Sequence, residues 1–146
     1  MTVCRPVAAA ADLATWKSTF AAAGIATAGG LIINTVIAWG ARALFDTPSE
    51  FEQLTLPIYG FLTVVGALAG AVGWRLIVNR SRSATRLLTW LIPAVLALSM
   101  IPDVMLLITQ SQPGTTTAGA VALMLMHLGV AAAAVPAYQR FMPARS

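Results

Sequence analysis

The chain is 146 residues long, 58% hydrophobic and only 10% charged, with a formal net charge of +4 and a mean hydropathy of +0.80. Soluble domains carry roughly 25% charged residues, so this composition excludes an ordinary water-soluble globule and favours a chain that resides in the lipid bilayer. The lone cysteine, Cys4, excludes an intrachain disulfide and a Cys-x-x-Cys redox pair.

Residues 1–17 read as a short tail carrying Arg5, Asp12 and Lys17, with Trp16 where an interfacial aromatic would sit. It holds no apolar core followed by a cleavage pattern, so the first span is expected to act as its own insertion signal. Span one is expected over residues 18–44. It is rich in Ala and Gly, which lets helix backbones approach closely in lipid. Gly30, Asn34, Ala38 and Arg42 recur at i+4 and are expected to share one slowly drifting face. The loop over residues 45–53 carries Asp46, Glu50 and Glu52 around an Asp-Thr-Pro-Ser turn.

Span two is expected over residues 54–78, with Pro57 near its start, where proline is tolerated. Gly66-x-x-x-Gly70, followed by Gly73, is a helix-packing pattern. It predicts a face for another helix, whether of this chain, of a second copy in a homo-oligomer or of a membrane partner. The short second loop, residues 79–85, is flanked by Arg75, Arg80, Arg82 and Arg86. Positive charge held on the cytoplasmic side explains these arginines better than a nucleic-acid partner.

Span three is expected over residues 87–109 and contains Pro93 and Pro102. Pro102 cannot donate to the Leu98 carbonyl, which predicts a kink or restart near Ile101. After a polar loop with Pro113-Gly114 comes span four, residues 117–138, without a formal charge and with His127, the chain's only histidine, near its middle. The expected fold is therefore all-α: an integral membrane bundle of four transmembrane helices forming one domain over residues 1–146. Spans one and three share neither prolines nor polar positions, so no internal two-span repeat is expected.

Arg5, Lys17, Arg80, Arg82, Arg140 and Arg145 fall on one side of such a bundle, and the acidic or uncharged loops on the other. The positive-inside rule then predicts a multi-pass protein of the cytoplasmic (plasma) membrane with both termini cytoplasmic. Trp16, Trp74, Trp90 and Tyr138 are expected at the inner interface, and Trp39 and Tyr59 at the outer one.

At about 1.5 Å per residue, Asp103 lies roughly 9 Å below the outer boundary, His127 roughly 13 Å and Asn34 roughly 16 Å. Arg42, Tyr59 and Thr63 join them, so every span contributes a polar group to the outer half. Ionisable side chains cost about 2.5–3.5 kcal/mol each at the centre of a span on insertion scales; they usually pair or line a pathway. The sharp reading is an outward-facing intramembrane pocket. Asp103 and His127 are its candidate acid–base pair, and Asn34, Arg42, Tyr59 and Thr63 its candidate lining. The plainer readings stand beside it: Asp103 as a first-turn residue of a restarted helix or a structural partner of Arg42, His127 and Asn34 as interhelical hydrogen-bonding groups, and Arg42 extended to the headgroups. With no phosphate loop and no cluster of metal-ligand residues, neither a cofactor nor a metal is expected.

The chain resembles the uncharacterised four-helix membrane proteins common in actinobacteria, catalogued as a domain of unknown function. The likeness rests on Ser99-Met100-Ile101-Pro102-Asp103, on Met126-His127-Leu128 with the Ala-rich run to Pro136, and on the Arg-rich second loop. It implies fold and location but no reaction. With the small multidrug transporters the chain shares size and span count, but not their membrane-embedded first-span glutamate. Three functions remain open: a pocket that binds or moves a small molecule or assists a membrane assembly, a membrane enzyme acting through Asp103 and His127 on a lipid-soluble substrate, and a structural partner subunit.

Overall fold

The computed structural model describes residues 13–144; Cys4, Arg5, Asp12 and Arg145 lie outside them. Its elements are helix α1 (Trp16–Phe45), a 3-10 turn (Glu52–Leu54), and helices α2 (Leu56–Arg80), α3 (Ala84–Ser99), α4 (Ile101–Thr109) and α5 (Thr117–Phe141). The fold is all-α, and four helical stretches are long and apolar enough to cross a membrane, α3 and α4 together making the third.

Local chemistry sets the helix ends. α1 starts at Trp16, ahead of the expected residue 18, because Thr15 and Ser18 form a reciprocal capping box. It stops where Asp46 adopts a left-handed conformation (φ 47°) and Thr47 donates through both its amide and its hydroxyl to the Ala41 carbonyl. α2 carries Pro57 in its first turn. α5 is capped by the Thr116 hydroxyl, which accepts from the Gly119 amide at 3.0 Å. The third span breaks at Met100, whose amide turns back to the Ala97 and Leu98 carbonyls, and α4 restarts with Pro102 and Asp103 in its first turn. The missing N–H of Pro102 is thereby absorbed at a helix start, where it costs nothing.

The packing is inverted relative to a soluble bundle. Residues buried between helices are mostly small, among them Ala22, Ala26, Ala38, Ala67, Ala71 and Ala134, whereas Phe20, Ile32, Trp39, Phe61 and Leu98 point outward and are more than 60% exposed. Lipid is as apolar as leucine, so close backbone approach drives association, and small side chains permit it. α1 and α5 run antiparallel in intimate contact: a Cβ at Gly29 would meet the Ala133 Cβ at 3.0 Å, and one at Gly129 would meet the Ile33 Cγ2 at 2.5 Å. α2 closes a trio against both. The third span is peripheral, buried only at Ala84, Leu88 and Asp103.

Several expected placements are corrected. The seam of α2 runs through Tyr59, Thr63, Ala67, Ala71, Trp74 and Val78, one position along from Gly66 and Gly70. A Cβ on Gly70 would meet the Tyr138 hydroxyl at 3.0 Å, so Gly70 does lie close against α5, but one on Gly66 or Gly73 would meet nothing within 4 Å, so the rest of this glycine pattern makes no close contact among the described residues. Trp74 and Tyr138 turn inward and are buried between helices near the end of the bundle that carries the second loop. Trp74 Nε1 donates to the Met142 carbonyl at 2.9 Å, the Tyr138 hydroxyl donates to the Ala67 carbonyl at 2.6 Å, and the two rings lie 5.6 Å apart. Each polar tip satisfies a main-chain carbonyl, which makes burial tolerable. Tyr59 is likewise buried.

Candidate polar site within the membrane

The six expected polar residues separate into two groups and a singleton. Asn34 and Thr63 meet across α1 and α2: Asn34 Nδ2 donates to Thr63 Oγ1 at 2.9 Å, and the Thr63 hydroxyl donates to the Tyr59 carbonyl at 2.7 Å. Close by, Thr35 donates to the Leu31 carbonyl at 2.7 Å, so the Tyr59 hydroxyl is the donor in its 3.0 Å contact with Thr35 Oγ1. Thr35 completes this relay but carries no sequence signal, because a threonine satisfied by its own helix is indistinguishable from one that links two helices. Asn34 Oδ1, fully buried, has no hydrogen-bond partner and would lie 3.5 Å from a Cβ at Gly129. Small size at Gly129 and at Gly30, whose Cβ would meet Thr63 Cγ2 at 3.0 Å, admits this polar seam between three helices.

Asp103 and His127 form the second group, across α4 and α5. Asp103 Oδ2 lies 3.0 Å from His127 Nδ1, and the Leu123 carbonyl, one turn back on α5, lies 2.9 Å from the same nitrogen. Both neighbours accept, so Nδ1 carries the proton. The Leu123 carbonyl takes the N–H direction, which leaves Asp103 Oδ2 as a close electrostatic contact without a well-directed hydrogen bond of its own. Nε2, across the ring, has no partner among the described residues. The His127 side chain is 36% exposed and that of Asp103 10%. The helical break presents the acid: Asp103 stands in the first turn of α4, where unpaired amides and the helix dipole favour a negative charge.

The groups point apart. Gly129 lies two residues beyond His127, about 200° around the helix, so the face of α5 that meets Asn34 is nearly opposite to the one that meets Asp103.

Arg42 joins neither group. It is exposed and makes no ion pair with Asp103; the pair at Asp103 is with His127. A stride of four residues rotates by about 40° at each step, so the face shared by Gly30, Asn34 and Ala38 has drifted off the seam by Arg42, and Ala41 is buried in its place.

The end of the bundle that carries the acidic first loop is closed by Phe51, which is fully buried against Gly119 and packs with Ala38, Ala41, Leu54, Tyr59, Ala122 and Met126. Gly114 (φ 69°) lets the last loop cross the main chain of Glu50 and Phe51, where a Cβ would meet the Phe51 amide at 2.9 Å. An aromatic residue among acids in a loop was the only available signal for this plug. Two cavities, of about 380 and 100 Å³, lie at the other end, beside Ser18 and Met142 and beside Leu88 and Gln139. None of the six polar residues lines either. His127 and Asp103 are ligand-type side chains, but among the described residues no third His, Cys, Asp or Glu joins them.

Four apolar spans with small residues in the seams define a multi-pass membrane protein, surrounded by a lipid bilayer, with a helical bundle as its body. The chain belongs to DUF6069, a family of unknown function, which matches over residues 12–144. No curated protein and no solved structure matches it.

Proposed function

We propose that this is a cytoplasmic-membrane protein with both termini cytoplasmic, and that its Asp103–His127 couple binds a small, lipid-soluble hydrogen-bond donor through His127 Nε2. The observation that carries this reading is the pair of acceptors on Nδ1, Asp103 Oδ2 at 3.0 Å and the Leu123 carbonyl at 2.9 Å. They hold the proton on Nδ1 and leave the Nε2 lone pair for a ligand, as a carboxylate does for a histidine base in general. Because Phe51 closes the outer end, the ligand arrives laterally, past the loosely packed third span, and not from the external water. A membrane enzyme using the same nitrogen as general base is the catalytic form of this reading. Asn34, Thr63 and Tyr59 serve the α1–α2 seam in it, and Arg42 meets the headgroups.

A second reading rests on one specific observation: Asp103 is the only buried residue of α4. The couple would then be a clasp that holds the third span to α5, in keeping with a structural subunit. Diethyl pyrocarbonate, which acylates the lone-pair nitrogen of imidazole, separates the two. In bilayer discs the single histidine should be modified at a rate within about tenfold of that in the denatured protein. Protection of His127 in the folded protein, lifted only by denaturation, would leave the clasp and remove the ligand site.

A further inference from the structure

The basic end of the bundle holds an arginine whose orientation is fixed on two sides. Arg75, on α2, donates from Nε to the Ala14 carbonyl at 3.1 Å, and its guanidinium carbon lies 4.0 Å from the centroid of the Trp16 ring. Ala14 is itself clamped: its amide donates to Asn79 Oδ1 at 2.9 Å, and Asn79 Nδ2 donates to its carbonyl at 3.0 Å. Trp16 is held in turn by stacking on Phe20 at 5.9 Å. The indole covers one face of the guanidinium, and the Ala14 carbonyl takes its Nε edge.

One edge remains. The two terminal nitrogens of Arg75 make no hydrogen bond or ion pair among the described residues. Such an edge presents parallel N–H groups that match two oxygens of a phosphate. Arg75 stands five residues before the end of α2, which places it about 7.5 Å inside the helix terminus, at the depth where headgroup phosphates meet the acyl chains. Trp16 beside it is half exposed, as an interfacial aromatic is.

Charge at this end has the matching sign. Lys17, Arg75, Arg80, Arg82, Arg86 and Arg140 gather here, while Asp46, Glu50, Glu52 and Asp103 all lie towards the opposite end. Among the described residues no carboxylate neutralises the basic end.

We infer that Arg75, fixed by Trp16 and the Ala14 carbonyl, is a binding site for the phosphate of an anionic phospholipid headgroup. The surrounding cations select a net negative lipid over a zwitterionic one, and the oriented fork supplies the directed contact. The site is independent of the Asp103–His127 couple, at the other end of the bundle.

The test titrates full-length protein in non-ionic detergent with dioleoylphosphatidylglycerol, dioleoylphosphatidylcholine or inorganic phosphate, read by native mass spectrometry and thermal unfolding. Arg75→Lys keeps the charge and removes the planar fork, Arg75→Gln removes both, and Arg82→Gln removes an exposed loop charge. Phosphatidylglycerol should bind the wild type and weaken roughly tenfold with either Arg75 substitution, the loss expected for a charged hydrogen-bonded contact. Arg82→Gln should change it less than about twofold, as a screened surface charge does. Equal loss with Arg82→Gln would mean a diffuse basic field and overturn the site. Wild-type affinity in Arg75→Lys, which keeps the fold even if Arg75→Gln does not, would overturn the role of the fork. Equal binding of phosphatidylcholine or of free phosphate would overturn the assignment to an anionic lipid.

Discussion

Replacing Gly129 by alanine tests how tightly the central pair of helices is closed. An alanine Cβ at this position would lie 2.5 Å from Ile33 Cγ2, 3.5 Å from Ile33 Cβ and 3.5 Å from Asn34 Oδ1. Carbon atoms rest at about 3.5–4.0 Å, so the first contact falls short by at least about 1 Å. Ile33 cannot swing aside, because a β-branched side chain in a helix has essentially one χ1 rotamer. α1 and α5 must therefore separate, and overpacking of this kind typically costs about 1–3 kcal/mol. Alanine returns up to about 1 kcal/mol in helix propensity over glycine, which leaves a net loss of up to about 2 kcal/mol. Gly66→Ala supplies the internal reference, since a Cβ there meets nothing within 4 Å and retains only the propensity gain. The assay is reversible unfolding in mixed micelles titrated with a denaturing detergent. Gly129→Ala should fall below the wild type and Gly66→Ala should lie at or above it. Equal stability of the two variants would refute the close α1–α5 contact.

Other outcomes follow from the same contacts. In a double-mutant cycle, Asp103→Asn and His127→Gln should couple by about 1 kcal/mol, whereas Asp103→Asn and Arg42→Gln should add within about 0.5 kcal/mol; coupling to Arg42 instead would reverse the pairing. Phe51→Ala should cost about 3 kcal/mol, in the range for a fully buried aromatic, and a cost below about 1 kcal/mol in the unfolding assay would mean that the Phe51 plug is not a folded element. Cysteines placed at Ser81 and at Gln112, both in exposed or partly exposed loops, should label from opposite sides of intact cells, Gln112 from outside; external labelling at Ser81 would reverse the proposed sidedness.

Much of the architecture was legible because lipid imposes it. A run of about 20 apolar residues has few alternatives to a spanning helix, and Pro102 marked the break in the third span through a missing donor. What failed was rotation about the helix axis. Gly70 does meet Tyr138, but Gly66 and Gly73 lie open beside the seam that Ala67 and Ala71 occupy, and alanine permits close packing nearly as well as glycine, so the pattern could not place the seam. Arg42 failed for a related reason: depth can be counted along the chain, but a four-residue stride drifts away from the seam. That Trp74 and Tyr138 turn inward was not legible, because interfacial aromatics and buried ones with a satisfied polar tip share a composition. The polar residues were legible as a set, and Asp103 with His127 as a candidate pair, but not the separation of that pair from Asn34, Thr63 and Tyr59. Which helix lies beside which depends on packing around α5, whose two sides meet Asn34 and Asp103 separately. The Leu123 carbonyl, which helps to fix the His127 ring, has no side-chain signature at all.

The central claim is the orientation of one imidazole, and the chain contains a single histidine. Nitrogen-15 spectra of histidine-labelled protein in bilayers therefore report His127 alone. In the neutral ring, Nδ1 should carry the proton and Nε2 should show the shift of a free lone pair, moving when a membrane-soluble phenol is added. A proton on Nε2 with the lone pair on Nδ1, facing the Asp103 carboxylate and the Leu123 carbonyl, would contradict the account.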